Sequence, residues 1–284
     1  MSFQRIIGWF FLVCAILYAV YIIKEILKDR DAFKAQQGDL RKLLPAEFLV
    51  YVLATVGISD FVMNTIVIKK FRLAEADSIP DTLITSGIVP GSTLGVVYLM
   101  KAGYVDPVMI VIIMAGLMIS SYVGALAVGR MKGGSIKKAM VTMLVILLVV
   151  LIIKNQLAGQ PGELTELRGG KLVILAVSTL ILGFVNMLGI PTKPFFTTIF
   201  LVLGLSPITT LALLLGTIPI SVIMGGINVV KRRKYNSKLV LSALSAGSLG
   251  AVIGCGLAIT INQNVLNIIL IIVIMTAIVS LVKK

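Results

Sequence analysis

Lys193 lies midway along an apolar run from Leu172 to Leu205, in the stretch NMLGIPTKPFF (Asn186 to Phe196), which also carries Pro191 and Pro194. An ammonium group in such surroundings is suited to holding an oxyanion by charge and hydrogen bonds. Pro194 fits the first position of a helix and Thr192 a capping position. A helix that starts here presents free N–H groups and the positive end of its dipole, and such a terminus welcomes an anion. A lysine beside it is misplaced unless an anion is present. Two other uses compete with that one: snorkelling to the surface along the four-carbon stem, and an ion pair with Asp60.

Asp60 is read here as the only acid deep in an apolar run, the one from 44 to 68. It suits the N-cap of a half-helix beginning near Phe61. The alternatives are a protonatable carboxylate that couples proton movement to substrate release, and a cation ligand acting with Ser59 and Asn64. Asp60 and Ser59 are therefore the coupling-ion candidates. Ser92, Thr93, Thr217 and Ser221 flank Pro90 and Pro219. Their hydroxyls either bind a substrate or re-satisfy carbonyls that the prolines free.

Other chemistries are excluded by what is missing. The chain has no His, so histidine bases, histidine metal sites and Ser-His triads are absent. Cys14 and Cys255 both fall inside apolar runs, which argues against a disulfide or a cysteine metal cluster. No phosphate loop, cofactor motif or paired-carboxylate constellation is present, so no cofactor or metal is expected.

The elements that must position these residues are membrane helices. The 284 residues are 58% hydrophobic and 13% charged, with mean hydropathy +1.06, where an ordinary soluble domain carries roughly 25% charged residues. Helix-length apolar runs occur at about 6 to 23, 44 to 68, 81 to 100, 107 to 129, 139 to 153, 172 to 205, 207 to 230, 239 to 260 and 264 to 282. The first is too long for a signal peptide and lacks a small-residue cleavage site after it, so it reads as a retained span. The net charge of +14 comes from short basic connectors, KKFR (69 to 72), RMKGGSIKK (130 to 138), KRRKYNSK (231 to 238) and the terminal KK. These mark the cytoplasmic side, and nucleic acid is not an expected partner.

Crossing parity then poses a constraint. One span from the 130 to 138 loop puts 155 to 171 outside, and one span back from the 231 to 238 loop puts the link near 204 to 206 outside too. Segment 172 to 205 must start and finish on one face, while two full spans need roughly 40 residues. A re-entrant hairpin broken at GIPTKP satisfies both conditions. Residues 44 to 68 require the same solution, with a break at Gly57 to Asn64 (GISDFVMN), because the connector 24 to 43 is also basic. This topology leaves 20 Lys/Arg inside, 5 outside and Lys193 alone in the membrane, and it places Ser206 and Gln160 on the same extracytoplasmic face.

The chain also repeats. GIVPGS (Gly87 to Ser92) and GTIPIS (Gly216 to Ser221) match at an offset of 129 residues, and YVGALAV (122 to 128) resembles VIGCGLA (252 to 258) at 130. Counted without gaps at 129, Asn64 corresponds to Lys193 and faces it across the pseudo-symmetry axis. The fold expected is an all-α polytopic membrane protein of two inverted repeats, each a re-entrant helical hairpin plus three transmembrane helices, with an extra N-terminal span. Its parts are 1–43 (first helix and cytoplasmic connector), 44–154 (first repeat), 155–171 (extracytoplasmic linker) and 172–284 (second repeat). Inverted repeats with broken helices characterise many secondary transporters, whose site lies where the breaks meet. Gly91, Gly225, Gly226, Gly254 and Gly256 are read as helix-packing positions.

The second half, LGFVNMLGIPTKPFFTTIFLVLGLSPITTLALLLGTIPISVIMGG with the later GSLGAVIGCGLA, resembles the sulfite/organosulfonate exporter (TauE/SafE-like) family, also called toluene sulfonate uptake permeases. The resemblance covers about residues 44 to 284. It departs from the family's clustered glycines at GISDFVMN and GIPTKP. It implies movement of small anions, commonly sulfur oxyanions or sulfonates, across the cytoplasmic membrane with coupling to an ion gradient. The substrate ligands expected are Lys193, Thr192, Asn64, Ser92, Thr217 and Ser221. The partners expected are a small anion, a coupling proton or sodium ion, membrane lipid and a second copy of the chain in a homodimer. Two other classes were weighed: a membrane-embedded enzyme, for which the sequence offers almost no base or ligand, and a scaffold, which has no need of paired helix breaks.

Overall fold

The computed structural model describes residues 3–56, 58–101, 105–156 and 162–257, together with 272, 275, 276, 278, 279, 281 and 282. Gly57, Gln160 and most of the run at 264 to 282 lie outside the described residues. Among those described the chain is all-helical, and its one extended pairing is an isolated bridge between Leu164 and Leu205.

A long helix α1 (Phe3–Lys28) and a short α2 (Arg30–Ala35) come first. The run at 44 to 68 is two helices, α3 (Leu40–Ala54) and α4 (Asp60–Phe71), and three long helices follow, α5 (Ile79–Lys101), α6 (Pro107–Val128) and α7 (Gly133–Gln156). The run at 172 to 205 is again two helices, α8 (Gly170–Asn186) and α9 (Lys193–Val202). Next come α10 (Pro207–Thr217) and α11 (Pro219–Arg232), collinear but interrupted at Ile218. Last are α12 (Ser237–Ser242), a π-helical turn at Ala243–Gly247, and α13 (Ser248–Leu257). Among the described residues five helices are long and apolar enough to cross a membrane: Phe3–Lys28, Ile79–Met100, Pro107–Val128, Pro207–Arg232 and Ser237–Gly256. Their outer faces expose Trp9, Leu17, Ile119, Val123 and Val252. So much exposed apolar surface marks a face built to meet lipid.

At 1.5 Å per residue, α3, α4 and α9 are about 22, 18 and 15 Å long, well short of the roughly 30 Å of a hydrocarbon core, and α8 is about 26 Å. Each pair closes on itself. At the mouth of the first, Asn236 Nδ2 donates to both Gln37 O (2.9 Å) and Leu73 O (3.1 Å). At the mouth of the second, Lys171 Nζ donates to Leu203 O (2.9 Å), Leu164 N to Gly204 O (3.0 Å) and Ser206 N to Leu164 O (2.8 Å). The two mouths lie at opposite ends of α10–α11, which begins beside Ser206 and finishes at Arg232, just before the Asn236 that closes the first pair.

The prolines are handled locally. Pro90 lies inside α5, where it cannot donate to the carbonyl four residues earlier. That carbonyl, Ser86 O, accepts instead from Tyr51 Oη of α3 at 3.3 Å. Close helix approach depends on small residues, as in many membrane bundles. Helices α6 and α8 pack through a reciprocal arrangement in which Gly116 faces Thr179 and Gly183 faces Ser120. Ser120 Oγ bonds Gly116 O (2.7 Å) and also approaches Thr179 O (3.3 Å). A Cβ on Gly183 would collide with Ser120 and crowd the Leu117 backbone. Gly183→Val is therefore expected to destabilise the fold by about 1–3 kcal/mol, measured as a lower midpoint of thermal unfolding in detergent. Gly225, Gly226 and Gly254 are packed against Met187, Ile88 and Thr55 in the same manner, whereas Gly91 has one distant neighbour and Gly256 meets nothing among the described residues.

Candidate functional site

The two helix pairs meet tip to tip. α4 starts at Asp60 and α9 at Lys193, and Lys193 Nζ donates to Asp60 Oδ1 at 2.6 Å. The side chains are 13% and 9% exposed, so Lys193 is sequestered and does not snorkel. The ion pair joins residues 133 apart, each the first residue of its helix. The register of the helix starts is thus four residues longer than the 129 that relates Pro90 to Pro219. The residue that meets Lys193 is therefore Asp60 and not Asn64, which stands one turn further along α4.

Neither helix start is capped by a side chain. The residue before α4 is Ser59, so Asp60 is the first helical residue and not the cap. Thr192 holds the capping position of α9, but its Oγ1 turns away and donates to Asn186 Oδ1 at 3.1 Å. Two positive helix ends and one ammonium therefore converge on a single carboxylate. The anion that Lys193 requires is supplied by Asp60 itself.

Around the pair lies a cavity of about 30 Å³ walled by Ser59, Asp60, Asn186, Thr192, Lys193 and Pro219, among others. A water needs roughly 10–15 Å³ of such space, so this chamber holds one or two waters and no sulfonate. It is closed. A second cavity of about 1080 Å³ lies at the mouth of the first helix pair, with Lys69, Lys70, Arg72, Arg233 and Lys234 against Glu75 and Asp77 in its walls.

Of the expected ligands, Lys193, Thr192, Asp60 and Ser59 line the small cavity, and Asn64, Ser92, Thr217 and Ser221 do not. Ser92 Oγ donates to Ile88 O (2.6 Å), Thr93 Oγ1 to Val89 O (2.9 Å) and Thr217 Oγ1 to Leu213 O (2.5 Å). These three hydroxyls serve their own helices. Ser221 does more. Its Oγ accepts from Asn186 Nδ2 (2.9 Å) and shares a hydrogen bond with Ser121 Oγ (2.7 Å), so a polar chain runs from Ser121 of α6 through Ser221 and Asn186 to Thr192. It ties the second tip to two long helices.

Two residues escaped the sequence reading. Asn186 was passed over because an Asn near a break reads as an ordinary helix end. Glu47 corrects the view of Asp60 as the only deep acid: it lies on α3 with no exposed surface, and Asn64 Nδ2 donates to its Oε2 at 3.4 Å. Among the described residues no group of three or more His, Cys, Asp or Glu is arranged to hold a metal.

The family model described as Sulfite exporter TauE/SafE matches residues 76–281. The match begins later than the expected 44 and so covers Lys193, Thr192 and Asn186 but not the first helix pair with Asp60 and Glu47. No curated protein and no solved structure matches the chain.

Proposed function

The chain belongs to the sulfite exporter TauE/SafE family, and from that premise we propose a secondary carrier that moves a sulfur oxyanion or organosulfonate across the cytoplasmic membrane by alternating access. It is a membrane transporter and not an enzyme. The observation that carries the proposal is the meeting of two uncapped helix starts at one buried lysine. Anion sites at broken-helix termini near the midplane are the recurrent device of such carriers.

In this reading the two helix pairs re-enter the bilayer from opposite faces and the halves 44–154 and 172–284 form inverted repeats. Asp60 is the internal counter-ion of the empty carrier. An incoming oxyanion displaces it, takes the Lys193 ammonium, and accepts from the N–H groups at the starts of α4 and α9. Thr192 and Ser59 border the substrate directly. Ser221 acts through Asn186 to fix the second tip, Ser92 and Thr217 keep the flanking helices intact, and Asn64 supports the first tip. The five cations of the large cavity raise the local concentration of anions at the cytoplasmic mouth. Because the inner chamber is too small for a substrate, the tips must part for loading, which is the movement alternating access requires. A proton or sodium gradient drives it.

The test is flux into proteoliposomes for sulfite, sulfoacetate, taurine and small carboxylates, with and without pH and sodium gradients. The proposal expects saturable flux of at least one sulfur anion, accelerated by one gradient. No flux above protein-free liposomes for any of these solutes would refute it.

A further inference from the structure

Glu47 sits where a charged carboxylate has nothing to sustain it. Its residue is wholly buried, and Asn64, its hydrogen-bond partner, is 1% exposed. Among the described residues Glu47 forms no ion pair, and the single bond it accepts is long at 3.4 Å. Glu47 Oε1 and Asn64 Oδ1 are both buried without any partner. The cluster thus holds three acceptor oxygens and one amide donor, an imbalance that low dielectric surroundings make costly. A proton on Glu47 removes the charge and supplies the missing donor.

The charged groups around it point the same way. On α4 the charged group at the helix start is the Asp60 carboxylate, a like charge that offers Glu47 no compensation and is itself held by Lys193. Lys69 and Lys70 are at the far end of α4, more than a turn beyond Asn64. Across from α3, the segment α12 to α13 has Lys238 as its single charge, and that ammonium donates to Lys34 O and Gln36 O. On α3 itself Tyr51 donates its hydroxyl to Ser86 O, and Arg41 and Lys42 lie at the basic mouth in the first turn. Among the described residues no cation pairs with Glu47. Neither of the two cavities described above has Glu47 or Asn64 in its walls.

We infer that Glu47 is the proton-carrying carboxyl of this transporter, with Asn64 as the residue that reads its protonation state. The inference rests on the carrier proposal above and moves the coupling step away from Asp60, whose carboxylate is held by Lys193. Glu47 lies on α3 between the cytoplasmic mouth at Leu40 and the break that precedes Asp60. Loading a proton there lets Asn64 rotate its amide to face a donor instead of an acceptor, which shifts the start of the same twelve-residue helix that presents Asp60. By linkage, anion binding at Lys193 and proton binding at Glu47 favour each other reciprocally.

Two measurements on the full-length protein decide the matter. The first is infrared spectroscopy of the purified protein at neutral pH. A carbonyl stretch from a protonated carboxyl is expected in wild type, absent in Glu47→Gln and shifted in Glu47→Asp, the latter carrying the assignment if Glu47→Gln does not fold. Absence of that band from wild type overturns the inference whether or not the protein transports. The second uses sulfite in proteoliposomes. Glu47→Gln, fixed in the neutral form, is expected to keep sulfite exchange while losing accumulation driven by a pH gradient at least about tenfold. Undiminished pH-driven accumulation in Glu47→Gln overturns the inference and leaves the carrier proposal standing. Failure of wild type to move sulfite or any other anion refutes that proposal instead.

Discussion

Lys193→Met is expected to abolish anion flux in proteoliposomes at normal levels of membrane insertion. The variant keeps the length and apolar stem of the side chain, so the α9 start and its packing survive while the ammonium is lost. It leaves the Asp60 carboxylate between two positive helix ends, now as the only full charge. Asp60→Asn does the reverse and strands the ammonium beside those same ends, the worse of the two situations. Removing one partner of a buried pair costs about 3–5 kcal/mol, whereas neutralising both is often tolerated. The double variant Asp60→Asn, Lys193→Met should therefore be more stable than Asp60→Asn alone and still fail to transport. Recovery of stability without recovery of flux separates an anion site from a structural ion pair. Flux in Lys193→Met within about threefold of wild type would remove the lysine from the site, since loss of a buried charged contact costs well over tenfold.

The second large effect concerns the ends of the long helices that adjoin the basic loops. Arg232, at the end of α11, makes three bonds: Nε to Asp81 Oδ2 (2.9 Å), one terminal nitrogen to Asp81 Oδ1 (2.6 Å), and the other to Ala125 O (2.6 Å). One planar group thereby joins α5, α6 and α11 at the end where the prediction puts the basic loops. Asp81 is nearly enclosed, so its removal leaves a guanidinium without its partner, and removal of Arg232 leaves a buried carboxylate without its ion pair and Ala125 O with the Gly129 N–H alone. Arg232→Ala is expected to cost about 2–5 kcal/mol, read as loss of thermal stability in detergent. Arg232→Lys should restore only part of it, because an ammonium cannot reproduce the two-pronged geometry. Full stability in Arg232→Lys would show that charge alone matters here.

Much of the architecture was legible because lipid imposes hard constraints. Apolar run length and the distribution of Lys and Arg called for a break within each of two segments, and both runs are divided into two helices, between Ala54 and Asp60 and between Asn186 and Lys193. Lys193 stood out because a full charge in an apolar run has so few uses. Depth was harder to read. Glu47 is only four residues into its run and close to Arg41 and Lys42, so along the sequence it resembles a residue at the membrane edge. The folding back of α3 and α4 is what encloses it. The pairing of Asp60 with Lys193 was one of the readings the sequence offered, and the structure forms it; the gap-free offset of 129 instead set Asn64 opposite Lys193, because the helix starts are 133 residues apart. The roles of Ser92 and Thr217 turned on side-chain rotamers. A hydroxyl beside a membrane proline has a carbonyl of its own helix within reach, and that local bond wins when no substrate is bound.

The internal counter-ion gives the site its logic. A carrier whose positive site stood bare in the membrane would bear a large desolvation cost. In the carrier we propose, Asp60 offsets that cost and an anion competes with it to bind, which keeps binding weak and exchangeable. The polar chain from Ser121 to Thr192 holds the second tip, while the first tip has the incompletely bonded Glu47 and Asn64 near it. On that proposal the movement belongs to the first tip.

The most direct measurement is a structure of the protein saturated with a transported anion. The account predicts the anion between the starts of α4 and α9, within hydrogen-bond distance of Lys193 Nζ, with the Asp60 carboxylate displaced from the 2.6 Å contact it makes in the empty chain. An anion bound elsewhere, with the Lys193–Asp60 bond intact, would contradict it.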